Sequence, residues 1–335
     1  MESSNKNRIV YIDIVRIFAL LCVIGVHWVG TVQKVSPVGE TYQIINHSLD
    51  TMNALGVPIF FALSGFLTLR KTIGDIRLFY KRRLIRLGIP YLVYAVIYVG
   101  YLTGIENKSP ERIPISFIHD VLTANVHGTH WFVFALLGLT FAAPFISIML
   151  SNLTHTQICI LYAGAVILTL IGDIYGVFGM SFPLEGTFVF CGNLLLYIGG
   201  YCMDRIAADC SKSKWGRIKK YIPYVLIGLF LIQVVYNTTV VTVILSSLIF
   251  FDVKEIKTSE RGVALLKSVS KSSYSMYLIH AAVVSLVWRF YCKWTGAYFF
   301  QLLTGYIIVF VLSLIIAILM DWLIVDRLFR AVNTR

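Results

Sequence analysis

The chain has 335 residues, of which 58% are hydrophobic and 14% charged, with a formal charge of +12 and a mean hydropathy of +0.78. No soluble globular domain of this length is so apolar, which excludes a solvated enzyme or binding module. The six cysteines show no CxxC spacing and fall mostly within apolar runs, which argues against both a disulfide framework and a zinc site.

A helix needs about 20 mostly apolar residues to cross a bilayer. Ten candidate spans follow one another: 9–32, 48–69, 87–104, 130–150, 158–172, 186–203, 221–236, 238–251, 273–291 and 298–321. The pair 221–251 reads as two helices because Asn237-Thr238 offers a turn. The expected fold is all-α, a polytopic helical membrane bundle with no soluble domain at either end and no cleavable signal. Residues 1–335 therefore read as a single transmembrane domain.

Lys and Arg placement orients these spans. With the N-terminus inside, 23 of the 29 cations fall on inner segments and four on outer ones, while Arg16 and Arg289 lie within spans. That bias predicts that both termini are cytoplasmic. It also accounts for the net charge, so no nucleic-acid partner is needed, and no RNA- or DNA-binding motif is present.

In the first span, Arg16 and His27 are separated by ten uncharged residues. Ionisable groups inside a span are expensive and usually face a bundle interior or a wet cavity. Three helical turns separate the two, so they share a face at different depths, and Asp13 lies near the same stripe. The second span ends in Ser64-Gly65, a small face for close helix approach or, for Ser64, a hydrogen-bond donor into the bundle.

The loop Arg70–Arg86 follows, closing on Lys81-Arg82-Arg83-Leu84-Ile85-Arg86. Guanidinium groups at 83 and 86 suit a diphosphate, with Arg82 beside them; an anchor for anionic membrane lipid is the plainer reading. His127-Gly128-Thr129-His130-Trp131-Phe132 opens the fourth span on its outer side. Trp131 fits an interfacial belt, and His130 reads as an interfacial polar residue or an acid–base group. Asp173 and Glu185 bracket the following outer loop as solvated carboxylates or site groups. In the ninth span Tyr277 and His280 share a helical face, either as a satisfied structural pair or as site residues.

These pieces resemble, in order, the motifs of the membrane acyltransferase type 3 family. Tyr11-Ile12-Asp13-x-x-Arg16 followed by His27 resembles the family's opening motif. Phe60-Phe61-x-x-Ser64-Gly65-Phe66, Arg83-x-x-Arg86, Trp131-Phe132 and Tyr277-x-x-His280 follow, so the likeness spans nearly the whole chain. The chain looks most like the single-domain branch that O-acetylates surface glycans. One departure is Thr129, which stands where many relatives have histidine, with His130 abutting Trp131.

The resemblance implies a bacterial inner (plasma) membrane enzyme, an O-acetyltransferase. It would take acetyl from cytoplasmic acetyl-CoA and pass it to a surface polysaccharide or a lipid-linked oligosaccharide, with no permanently bound cofactor or metal. His27 matches the family's essential histidine, Arg16 its partner, and Arg83 and Arg86 its cytoplasmic arginine pair. Read from the residues alone, the same polar stripe also suits a transporter or flippase for a glycan intermediate or small polar solute. No inverted repeat supports that alternative.

Overall fold

A computed structural model describes residues 10–35, 40–71, 73–104, 128–183, 190–210, 220–251, 256, 258–291 and 298–333. Every regular element among them is helical. In chain order they are α1 (Val10–Val35), α2 (Glu40–Ala54), α3 (Gly56–Leu69), α4 (Ile76–Gly104), α5 (Trp131–Asn152), α6 (His155–Val177) and α7 (Gly192–Cys210). Then come α8 (Ile222–Tyr236), α9 (Thr239–Leu248), α10 (Glu260–Lys271), α11 (Ser273–Tyr291), α12 (Tyr298–Met320) and α13 (Asp326–Asn333). A 3-10 turn at Gly128–His130 leads into α5, and a π turn at Asp321–Val325 joins α12 to α13.

Among the described residues each candidate span overlaps helix, although the second is broken at Leu55 between α2 and α3, and residues 9 and 186–189 lie outside the described residues. Five helical stretches are long and apolar enough to cross a membrane on those grounds alone: Val10–Lys34, Tyr42–Leu69, Gly128–Asn152, His155–Val177 and Tyr298–Val332. The others fall short for visible reasons. Helices α8 and α9 have only 15 and 10 residues. Helix α11 dilutes its apolar run with serines, tyrosines, His280 and Arg289. Large apolar side chains such as Ile160, Ile167, Ile307 and Leu319 stand exposed on α6 and α12. Water would penalise such surfaces and lipid does not, so the protein is membrane-embedded.

Local chemistry sets the helix ends. Asn237 ends α8 in the left-handed conformation at φ 45° and gives its N–H to the Gln233 carbonyl, so the break expected at Asn237-Thr238 is where the structure turns. Thr154 and Gln157 close a reciprocal capping box on α6. Asp75 accepts the Leu78 N–H at 2.9 Å and starts α4. That cap corrects one expectation: residues 76–86, with their five cations, are not loop but the first turns of α4.

The chain forms two compact units. The first comprises Met1–Ala19, His47–Gly74 and Ala142–Leu266; the second comprises Leu20–Asn46, Asp75–Phe141 and Lys267–Arg335. In the first, α3 lies along α7, and α9 packs against α3, α6, α7 and α8. Glycine permits the closest approach: a Cβ on Gly65 would fall 1.6 Å from the Tyr197 carbonyl oxygen, and one on Gly200 2.3 Å from that of Ala62. Ile59, Ala62, Phe66, Leu245 and Phe250 fill the core beside this crossing. Arg70 at the end of α3 stacks on Phe66 and pairs with Asp204 of α7 at 3.2 Å.

In the second unit α11 packs against α12 and α4. Trp28 of α1, wholly buried, seats its ring where Gly305 leaves room on α12 and donates Nε1–H to the Leu302 carbonyl at 2.9 Å. Ser275 of α11 donates to the buried Asp321 carboxylate at 2.5 Å, tying the start of α11 to the π turn.

Because the Gly65 crossing is backbone against side-chain position, it has no slack. Gly65→Ala is expected to destabilise the protein by roughly 1–3 kcal/mol or more. The check is a lowered melting temperature of the purified variant in detergent, set against Gly164→Ala, where a Cβ meets nothing within 4 Å.

Candidate active site

Three histidines of the second unit sit in an aromatic and backbone framework. His27 on α1 and His280 on α11 have ring centroids 5.0 Å apart, tilted by 49°. His280 is fully buried and His27 half-buried. The His280 Nδ1 lies within hydrogen-bond distance of the Tyr277 carbonyl. A carbonyl only accepts, so Nδ1 carries the proton and Nε2 holds the lone pair. An imidazole fixed in that tautomer presents a basic nitrogen on its far side.

Tyr277 lies beside it, with ring centroids 5.6 Å apart. Its hydroxyl donates to the Thr129 carbonyl in the 3-10 turn, and its ring meets Phe132 at 5.2 Å. His130 is fully buried within the protein. Its Nε2 faces the Leu278 carbonyl at 3.4 Å, and its ring meets the edges of Tyr98 and Tyr91 at 5.1 and 5.6 Å. The Tyr98 hydroxyl accepts the Ala282 N–H at 2.9 Å. The expected pair Tyr277 and His280 is thus brought together with His27, and the turn carrying His130 is bonded to the same helix.

The remaining candidates are placed as follows. Asp13 and Arg16 lie in the part of α1 that belongs to the first unit; Asp13 is buried and 3.6 Å from the Arg16 guanidinium. Helix α1 runs unbroken from Arg16 to His27, a rise of about 16 Å. Ser64 is half-buried on α3, one residue before the Gly65 crossing. Arg82 and Arg86 are exposed on α4, and Arg83 is half-buried with its guanidinium 5.6 Å from the Phe79 ring. Trp131, the first residue of α5, is largely exposed. Glu185 and His127 lie outside the described residues.

Sequence reading missed the tyrosines of α4. Tyr91, Tyr94 and Tyr98 are all buried. Their spacing, three and then four residues, puts them on one helical face, a signal that was available. It also missed Asp321, whose neighbours Ser275 and Tyr94 come from distant parts of the chain. Among the described residues no group of three or more His, Cys, Asp or Glu side chains is arranged to hold a metal ion.

Long apolar helices and, within the second unit, a cluster of imidazoles define an integral membrane protein with a polar centre. Residues 9–322 match the family whose description is acyltransferase domain, nearly the whole chain, and the protein belongs to that type 3 acyltransferase family. No curated protein and no solved structure gives a significant match.

The Tyr277 hydroxyl clamps the 3-10 turn to α11. Tyr277→Phe removes that donor and is expected to cost about 1 kcal/mol. The measurement is thermal unfolding in detergent, and an unchanged midpoint would show that the turn is held by its other contacts.

Proposed function

We propose that the protein is an O-acyltransferase that takes acetyl from cytoplasmic acetyl-CoA and transfers it to a hydroxyl of a surface polysaccharide or its lipid-linked precursor. The observation that carries this reading is the His27–His280 pair, two imidazoles in tilted contact with one tautomer fixed, in a chain of the acyltransferase family. The 23-to-4 cation split supports a topology with both termini inside and about ten spans, and the family resemblance implies the bacterial inner membrane.

In this reading the donor's phosphates stay at the inner face on Arg83 and Arg86, with Arg82 adding charge, because phosphates do not enter lipid. Both arginines sit on the first turns of α4, the helix that further along carries Tyr91 and Tyr98. The acceptor hydroxyl attacks the thioester carbonyl carbon, a C–O bond forms, and the C–S bond to CoA breaks. The hydroxyl proton passes to the imidazole and leaves with the CoA thiolate. His27 serves as that base, or carries the acetyl group on its own ring between two half-reactions. Asp13 holds Arg16, the second member of the α1 pair.

His27→Ala is expected to abolish acetyl transfer while leaving insertion and abundance normal. Near wild-type turnover by the purified variant would reduce His27 to a structural residue. Acid quench of a single turnover with labelled acetyl-CoA distinguishes the two roles, since label on the protein means an acetyl carrier. Arg16→Lys is also expected to lose activity, because lysine lacks the planar fork that faces Asp13.

For the donor end, Arg83→Lys/Arg86→Lys keeps the charge and removes bidentate geometry. At roughly 1.5–3 kcal/mol per lost charge-assisted bond, the KM for acetyl-CoA is expected to rise on the order of ten- to a hundredfold. An unchanged KM in a titration at fixed salt would return both residues to the role of lipid anchor.

A further inference from the structure

In the first unit, α6 and α7 turn two thiols toward each other. Cys159, near the start of α6, is half-buried, and Cys202 of α7 is fully buried. Both are thiols in the structure. Their register follows from a contact one turn away. A Cβ on Gly199 of α7 would fall 3.4 Å from the Tyr162 ring of α6, so the two helices approach closely there. Residues three apart share a helical face. Cys159 stands three before Tyr162 and Cys202 three after Gly199, so antiparallel packing sets the thiols opposite one another. Parallel packing would leave them six residues out of step, about 9 Å along the axis. Cys202 interacts electrostatically with both Cys159 and Tyr162, as the antiparallel register requires. A disulfide needs Cα atoms within about 7 Å, an approach that helices reach where glycine lies at the contact.

One of the two thiols has a base beside it. His155, one turn before Cys159, brings Nε2 to 3.5 Å from the Cys159 sulfur. An imidazole so placed takes the thiol proton and leaves the thiolate, the form that reacts with oxidants. Thr154, Thr156 and Gln157 are exposed, so this end of α6 lies at the surface. We propose that Cys159 and Cys202 form a reversible disulfide between α6 and α7, made by hydrogen peroxide and undone by a dithiol. The Cys159 thiolate attacks one peroxide oxygen and the O–O bond breaks. The other oxygen leaves as water with the proton held by His155, and Cys159 becomes a sulfenic acid. The Cys202 sulfur then attacks the Cys159 sulfur, the S–O bond breaks, and the Cys202 proton leaves with that oxygen as water. A dithiol reverses the bridge by exchange and ends as the disulfide itself. The cation split puts this end of both helices on the inner side, where thiols are kept reduced and a disulfide is transient.

The experiment exposes the purified full-length protein, in lipid nanodiscs, to hydrogen peroxide. The protein is then denatured in a maleimide that blocks remaining thiols, digested, and read by mass spectrometry. A linked pair of peptides carrying Cys159 and Cys202 is expected, and dithiothreitol should abolish it. In Cys202→Ala the link should be absent and Cys159 should instead be captured by dimedone as the sulfenic acid. His155→Gln should slow the linkage on the order of tenfold. No linkage in wild type, or linkage of Cys159 to a different cysteine, would overturn the bridge. The wild-type result tests it whether or not a variant folds. Dimedone capture absent from Cys159 in Cys202→Ala would overturn the order of the two steps, and an unchanged rate in His155→Gln would overturn the part given to the imidazole.

Discussion

Two consecutive carbonyls of α11 hold the histidine centre. Tyr277 C=O receives the Nδ1–H of His280, and Leu278 C=O faces Nε2 of His130. Within lipid no water is available to satisfy a buried imidazole, so its N–H must find a partner in the protein. A regular helix would also give the Ala282 N–H to the Leu278 carbonyl. Here that N–H reaches the Tyr98 hydroxyl, so the rung between Leu278 and Ala282 is shared with side chains from α4 and from the 3-10 turn. The helix thereby acts as a template: its backbone selects the tautomers of the residues around it.

The two units solve the packing problem differently. In the first, glycines bring backbones together, as where Gly65 meets Tyr197 and Gly200 meets Ala62. Helices in a membrane gain little from hiding apolar surface from one another, and close backbone approach with dense van der Waals contact replaces that drive. In the second unit bulky rings do the filling. Trp28 meets Trp288 and Tyr291 edge-on at centroid distances of 5.9 Å, and Tyr91 and Tyr98 meet His130 in the same manner. Rings with a polar tip suit a site-bearing unit, since each supplies bulk to the core and a hydrogen-bonding group to the polar centre.

What was legible in the sequence followed from signals that act over a few residues. Apolar run length gave the helices, and the Asn237-Thr238 break was readable because asparagine tolerates the left-handed conformation that ends a helix. Tyr277 and His280 were paired by helical spacing alone. The start of α4 was missed because a dense cationic stretch reads as loop, whereas Asp75 caps it and the arginines simply line the first turns. The contact of His27 with His280 joins residues 253 positions apart, and no local pattern encodes it. The same holds for Asp321 with Ser275, and for Asp173 at the start of α9.

The spacing of the His27–His280 pair bears on the chemistry it is proposed to perform. Two imidazolium charges with ring centres 5.0 Å apart would repel by about 3 kcal/mol at an effective dielectric near 20. Acyl transfer from a thioester to a hydroxyl moves one proton, taken from the attacking oxygen and returned to the departing thiolate. The bond from His280 to the Tyr277 carbonyl keeps its Nδ1 out of that traffic. That leaves proton exchange at His280 to Nε2, on a ring whose centre lies 5.0 Å from that of His27, the residue on which the proposed reaction turns.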